Sequence, residues 1–217
     1  MQSKTLKAKF KAVKPYMNEM HAVRLHRAIS WLKCAEQQNE NPDIQFVSLW
    51  IAFNACYAIN TGEETHPSEK ESFSEFIKNL VLHDTEQRFF NILWHQFSFS
   101  VRQLIESKFL FKPFWDAQGN EQIDWKHRFE KSVESAMKFV SHNEVPELLI
   151  VVLDRLYMLR NQLIHGGATF ESSANRQQLQ YSCKMLLLII PLIIDIMIDN
   201  KDENWGDIYY PLIKKDR

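Results

Sequence analysis

Glycine is scarce in this chain, with five residues among 217, and two of them are adjacent at Gly166 and Gly167. Prolines number seven, so long stretches contain neither of the residues that most often interrupt a helix. Within those stretches apolar residues recur at intervals of three and four, which is the spacing of one helix face. The pattern predicts an all-α fold.

The composition fits a folded protein with a substantial core. Hydrophobic residues make up 45% of the chain and charged residues 24%, which excludes global disorder. Three widely spaced cysteines within apolar surroundings indicate reduced core residues of a cytoplasmic protein, not a zinc site or a disulfide framework. The net charge of −1 means that any binding to nucleic acid requires a local basic patch.

The two ends of the chain carry distinct signals. Residues 1–17 contain five lysines and predict either a frayed or surface-docked helix or a basic arm that contacts a phosphate backbone. The apolar run Met185–Ile194 is ten residues long, too short to span a bilayer, and Pro191 interrupts it. It predicts a buried core helix and no membrane partner. Residues 200–217 form a tail with aromatic residues that is expected to pack back on the bundle.

A helix that Pro146 opens should end at Gly166 and Gly167, because glycine adopts the left-handed conformation that closes helices. His165 then lies on the last turn, where carbonyl oxygens and the helix dipole favour a positive side chain. Arg160 lies about one and a half turns earlier and is always charged. This arrangement suits a phosphate or a developing negative charge.

Projected down its axis, this helix has one apolar face, and Arg160 falls within it. The apolar residues are Leu149, Val152, Leu153, Leu156, Leu159, Leu163 and Ile164. A polar stripe runs along the flank through Asp154, Tyr157, Asn161 and His165. A guanidinium on a buried face requires a partner. Either Arg160 pairs with a carboxylate on another helix or across a dimer, or it binds an anion in a cleft shared with Asn161 and His165.

Residues 160–165, Arg-Asn-Gln-Leu-Ile-His, resemble the Arg-Asn-x-x-x-His motif of the HEPN superfamily (higher eukaryotes and prokaryotes nucleotide-binding). The following Gly-Gly-Ala-Thr and the tracts 24–32 and 49–57 resemble an uncharacterised bacterial subgroup of it. The resemblance covers residues 20–60 and 145–199. It implies one domain over 1–217, an antiparallel helical bundle that forms a homodimer, with residues 61–145 as additional inserted helices. Arg24 and Arg27 are expected at the surface, salt-bridged or touching RNA.

Many HEPN proteins are metal-independent RNA endonucleases of toxin–antitoxin or antiviral defence systems, and the resemblance implies that activity here. Arg160 and His165 would be the catalytic pair and Asn161 a supporting residue. Tyr157 and Asp154 would orient the site or simply belong to the polar stripe. In such enzymes the RNA 2′-hydroxyl attacks the adjacent phosphate, a reaction that needs a proton carrier near neutral pH and a fixed positive charge, which histidine and arginine supply. No metal or cofactor is expected.

The implied partners are RNA, a second copy of the chain and an antitoxin or a nucleotidyltransferase-type protein. Two alternatives remain open. The chain could be a catalytically inactive HEPN-like module that binds a nucleotide, RNA or a protein. It could also be a helical scaffold in which Arg160 forms a structural ion pair.

Overall fold

The structure, a computed structural model, describes residues 1–58, 69–120, 122–174 and 176–211. Within these ranges the chain is all-α, as predicted, with ten α-helices and no β-strand. The helices are α1 (Gln2–Val13), α2 (Glu19–Glu36), α3 (Pro42–Tyr57), α4 (Glu69–Leu82), α5 (Arg88–Phe90), α6 (Ser98–Ile105), α7 (Lys112–Asp116), α8 (Trp125–His142), α9 (Val145–Ile164) and α10 (Arg176–Asp199). Short 3-10 turns at Lys14–Tyr16 and Lys108–Leu110 and a π-helical turn at Asn91–Gln96 join some of them.

The residues of the chain group into two compact units. The first unit comprises Met1–His83 and Leu187–Arg217, and the second comprises Asp84–Leu186. The division falls inside the predicted insertion 61–145, of which residues 61–68 and 121 lie outside the described residues. Residues 212–217 of the predicted tail lie outside them as well.

Helices α2 and α3 form an antiparallel pair in the first unit. The Asn41 side chain caps α3 by accepting the Ile44 N–H at 3.1 Å, and Pro42 occupies the first turn. The Gln45 side chain donates to the Ala35 carbonyl at 3.1 Å, so the start of α3 lies beside the end of α2. The α3 side chains that are fully buried are Phe46, Leu49, Ala52, Phe53 and Cys56.

Within the first unit, the C-terminal tail packs against α2 through Arg24. The position of Arg24 differs from the one expected from the sequence. Arg24 was predicted at the surface, but only 1% of it is exposed. Its guanidinium donates to the carbonyl of Trp205 at 2.5 Å and to that of Gly206 at 2.9 Å. Trp205 is itself buried, so the tail packs back as predicted. The buried guanidinium is tolerated here because backbone carbonyls accept hydrogen bonds from both of its Nη atoms.

Helix α10 is long and apolar enough to cross a membrane by length and composition alone. However, 72% of its most apolar 18-residue stretch is buried inside the protein, and Pro191 lies within the helix. Ile189, Ile190, Ile193 and Ile194 are fully buried. The prediction of a buried core helix is therefore confirmed.

Candidate functional site

The candidate site lies at the end of α9 in the second unit. The helix starts at Val145 with Pro146 in its first turn, as predicted. Its middle turns pack against α6 and α8 and bury most of the predicted apolar face. Its last turn extends beyond this packing, because Leu163 is only half-buried and Ile164 is 49% exposed. The segment that carries the motif is therefore accessible to solvent.

The two glycines end α9 in the predicted manner. Gly166 has a φ of +69°, the left-handed conformation. Its N–H donates to the Leu163 carbonyl at 3.2 Å, and the Gly167 N–H donates to the Gln162 carbonyl at 2.7 Å. These two bonds form a Schellman motif. A Cβ at Gly167 would lie 2.9 Å from the Gln162 carbonyl oxygen, so both positions require glycine and hold the backbone of His165 in place.

Arg160 lies on the partly exposed surface of the last turn, not on the buried face that the helical projection predicted. Its Nη1 donates to the Asn161 side-chain oxygen at 2.9 Å, and its guanidinium carbon lies 6.0 Å from the centre of the Tyr157 ring. The structure thus brings together Arg160, Asn161 and Tyr157. The projection was wrong because it gives the rotation of a residue about the helix axis and says nothing about how far the core extends along that axis.

The arginine on the buried face is Arg155, which the sequence analysis missed. It is 2% exposed, its Nη2 donates to the Ser132 hydroxyl at 2.9 Å, and its guanidinium lies 4.9 Å from the centre of the Phe111 ring. Burial lowers the pKa of Arg155, and the charge of Asp154 acts in the opposite direction. The helical projection contained the signal, since Arg155 falls on the same face as Val152 and Leu159.

The remaining predicted residues occupy exposed positions. The His165 side chain is open to solvent at the end of the helix, where the His165 N–H donates to the Asn161 carbonyl at 3.0 Å. Asp154 is half-exposed, with its carboxylate 4.0 Å from the Arg155 guanidinium. Asp154 is therefore associated with the buried arginine and not with Arg160. Chemically, the last turn offers a fixed cation, an amide and an imidazole to an incoming ligand.

An exposed aromatic surface adjoins this turn, formed by Lys108, Phe109, Phe114 and Trp115. Phe109 is 42% exposed and Trp115 is 43% exposed. The Lys108 ammonium lies 5.2 Å from the centre of the Phe109 ring. The Phe109 carbonyl accepts the Gln162 side chain at 2.6 Å, so a residue inside the motif anchors this surface. The clustering of aromatic residues on both sides of Pro113 was the signal for this surface in the sequence.

Among the described residues, no three His, Cys, Asp or Glu side chains come together in a way that could hold a metal ion. No family model, no curated protein sequence and no solved structure matches the chain. Inference about function therefore depends on the geometry of the chain itself and on the motif.

Proposed function

We propose that the protein is a metal-independent RNA endonuclease of the HEPN type, in which Arg160 and His165 act at a cleft between two copies of the chain. Arg160 stabilises the negative charge that develops on the phosphate, and His165 transfers a proton. Asn161 orients the guanidinium through the 2.9 Å hydrogen bond. The observation that carries the proposal is that Arg160 and Asn161, which are partly exposed, and His165, which is exposed, lie on one helix end that two glycines close.

The surroundings of Arg160 support a ligand-binding role over a structural one. Within residues 1–58, 69–120, 122–174 and 176–211, Arg160 pairs with no carboxylate. Its guanidinium is therefore available to bind an anion, and the hydrogen bond to Asn161 restricts its orientation. An arginine retained for a structural ion pair within the chain would be expected to contact an acidic side chain.

A second copy of the chain belongs to the proposal because one motif contains one histidine. Cleavage by the RNA 2′-hydroxyl needs a base for that hydroxyl and an acid for the leaving oxygen. Two copies of His165 facing one cleft would supply both. We further propose a cytoplasmic protein of a toxin or defence system that acts with an antitoxin or a nucleotidyltransferase-type partner.

The exposed aromatic surface supports RNA as the substrate class. Phe109 and Trp115 are both partly exposed, and base stacking on aromatic rings contributes about 1–3 kcal/mol per base. Single-stranded and loop RNA present unstacked bases for this contact. The Gln162 contact places the motif and the aromatic surface on one continuous part of the second unit.

The test is cleavage of a single-stranded RNA in the presence of EDTA. His165→Ala should lower the rate by roughly 10²–10⁴-fold, because a positioned acid or base contributes about this factor. Arg160→Ala should produce a loss of similar size. The matched control is His142→Ala, which removes another exposed histidine near a helix end in the same unit. It should leave the rate unchanged.

The products distinguish the proposed chemistry from its alternatives. Attack by the 2′-hydroxyl leaves a 2′,3′-cyclic phosphate, visible by mass spectrometry, and an RNA with 2′-O-methyl groups should resist cleavage. Metal-free cleavage that survives both substitutions would contradict the assignment of this site. A pure dimer that binds RNA and never cuts it would identify an inactive binding module.

A further inference from the structure

Helix α1 presents three different surfaces. Its apolar side is buried through Leu6 and Phe10, which are 6% and 3% exposed. On one flank, Lys9 pairs with Asp195 at 2.5 Å and with Asp199 at 2.7 Å, both on α10 in the same unit. These contacts dock α1 firmly, so the N-terminal segment is a surface-docked helix and not a frayed one. The third surface carries the remaining lysines.

Those lysines form a single row that lines a groove between α1 and α2. The row consists of Lys4, Lys7, Lys11 and Lys14, spaced three, four and three residues apart, so all four lie on one side of the helix. From α2, His26 and Lys33 line the opposite wall. The groove has a volume of about 540 Å³, and all six of these side chains are exposed.

The lysine charge of this groove is not balanced by ion pairs among the described residues, although the Glu36 carboxylate accepts hydrogen bonds from Ser3, which lines the same groove. The first 18 residues contain no Asp or Glu, although the whole chain is nearly neutral, with 26 Lys and Arg against 27 Asp and Glu. Among the described residues, the lysines of the row form no ion pair, in contrast to Lys9 on the same helix. Concentrated like charge destabilises a free surface, so a ligand that neutralises it would bind favourably.

The shape of the row indicates an extended ligand. Lys4 and Lys14, the first residue of the 3-10 turn that follows α1, are ten residues apart, a distance of about 15 Å at a helical rise of about 1.5 Å per residue. Each strand of a duplex places a phosphate about every 3.4 Å along the axis, so several would fall along the row. A membrane-binding helix needs an apolar face to insert in the lipid, but the apolar face of α1 is occupied by the protein core.

We propose that this lysine groove binds the phosphate backbone of a nucleic-acid strand, independently of its sequence. The lysines neutralise successive phosphates and release their counterions. This site lies in the first unit, away in the chain from Arg160 and His165, and its binding does not depend on cleavage by them. It would supply affinity without base recognition, since phosphate contacts carry no sequence information.

The probe is a fluorescent 20-mer of thymidylate, whose backbone lacks the 2′-hydroxyl and cannot undergo the proposed cleavage. Binding is measured by fluorescence anisotropy between about 50 and 200 mM salt, the range over which phosphate contacts change affinity strongly. Lys7→Gln/Lys11→Gln should reduce the slope of log affinity against log salt by about 1.4, at about 0.7 per lost contact on a single strand. Lys7→Arg/Lys11→Arg should restore it.

The matched control is Lys126→Gln/Lys131→Gln, which removes two exposed lysines from α8 and the same net charge. Its salt slope should equal that of the wild type. Equal weakening by the two glutamine pairs would overturn the proposal, because the effect would then come from net charge. Absence of binding to the thymidylate 20-mer at about 50 mM salt would also overturn the proposal. So would binding to phosphatidylserine vesicles or inorganic phosphate that depends on these lysines, if the oligonucleotide does not bind. A loss of RNA cleavage in His165→Ala with intact thymidylate binding separates the two sites.

Discussion

Arg155 and Arg160 lie five residues apart on α9 and have opposite environments. Arg155 is 2% exposed, donates to Ser132 and lies against the Phe111 ring. Arg160 is partly exposed and contacts Asn161 and Tyr157, on its own helix. The first guanidinium contacts other elements of the second unit, whereas the contacts of the second within the described part of the chain are with Asn161 and Tyr157 of its own helix. The first arginine therefore serves packing, and the second is available to a ligand.

The largest expected effect is on stability at the buried arginine. Arg155→Ala should lower the free energy of unfolding by about 3 kcal/mol, because it opens a cavity, removes the contact with Phe111 and leaves the Ser132 hydroxyl without its donor. Arg160→Ala should lower it by less than about 1 kcal/mol, as is usual for partly exposed positions. Urea unfolding followed by circular dichroism measures both. Arg155→Met, which fills much of the volume, should recover part of the loss, and equal losses at positions 155 and 160 would remove the contrast.

A smaller effect is expected at the glycine that fixes the motif. Gly167→Ala should lower the unfolding free energy by about 1–2 kcal/mol, since its Cβ would lie 2.9 Å from the Gln162 carbonyl oxygen and the turn must shift. RNA cleavage should fall with it, because the shift displaces His165. Gly119→Ala is the control, as its Cβ would meet nothing within 4 Å. Differential scanning calorimetry and the cleavage assay give the two readouts, and an unshifted transition for Gly167→Ala would show that the turn is not required.

The smallest effect concerns pH, and it extends the contrast from arginines to histidines. His21 is buried, and burial together with the charge of Arg24 lowers its pKa below the ordinary 6.5, although a hydrogen bond to Met197 acts in the other direction. Below pH 6.5 the unfolded chain therefore takes up the proton first. The stability that comes from burying neutral His21 is therefore complete above pH 6.5. It declines as the pH falls from 6.5 through the folded pKa of His21, with a slope of at most about 1.4 kcal/mol per pH unit.

His21→Gln tests that prediction, because glutamine retains an N–H donor for Met197 and does not titrate. Its unfolding free energy, measured by urea titration between pH 7 and pH 5, should fall less steeply than that of the wild type. Parallel curves would mean that burial of His21 has no influence on acid stability.

Much of the local structure followed from residue types that act on their immediate neighbours. The scarcity of glycine and the apolar spacing predicted an all-α chain, and Pro146 predicted the start of α9. Gly166 and Gly167 predicted the end of α9 and the position of His165 beside it. These predictions succeeded because caps and helix stops depend on backbone geometry within a few residues. The assignment of function to this turn remains a proposal.

Only the tertiary structure decided which charged residues are buried. Helical spacing specifies the side of a helix on which a residue lies, but neither the length of helix that the core covers nor the element packed against each face. For this reason Arg160 was placed on the apolar face of its helix, while the burial of Arg24 and Arg155 was not predicted. The same limit applies to α1, whose lysines are alike in sequence. Packing against α2 and α10 pairs Lys9 with two carboxylates and leaves Lys7 and its neighbours lining an open groove.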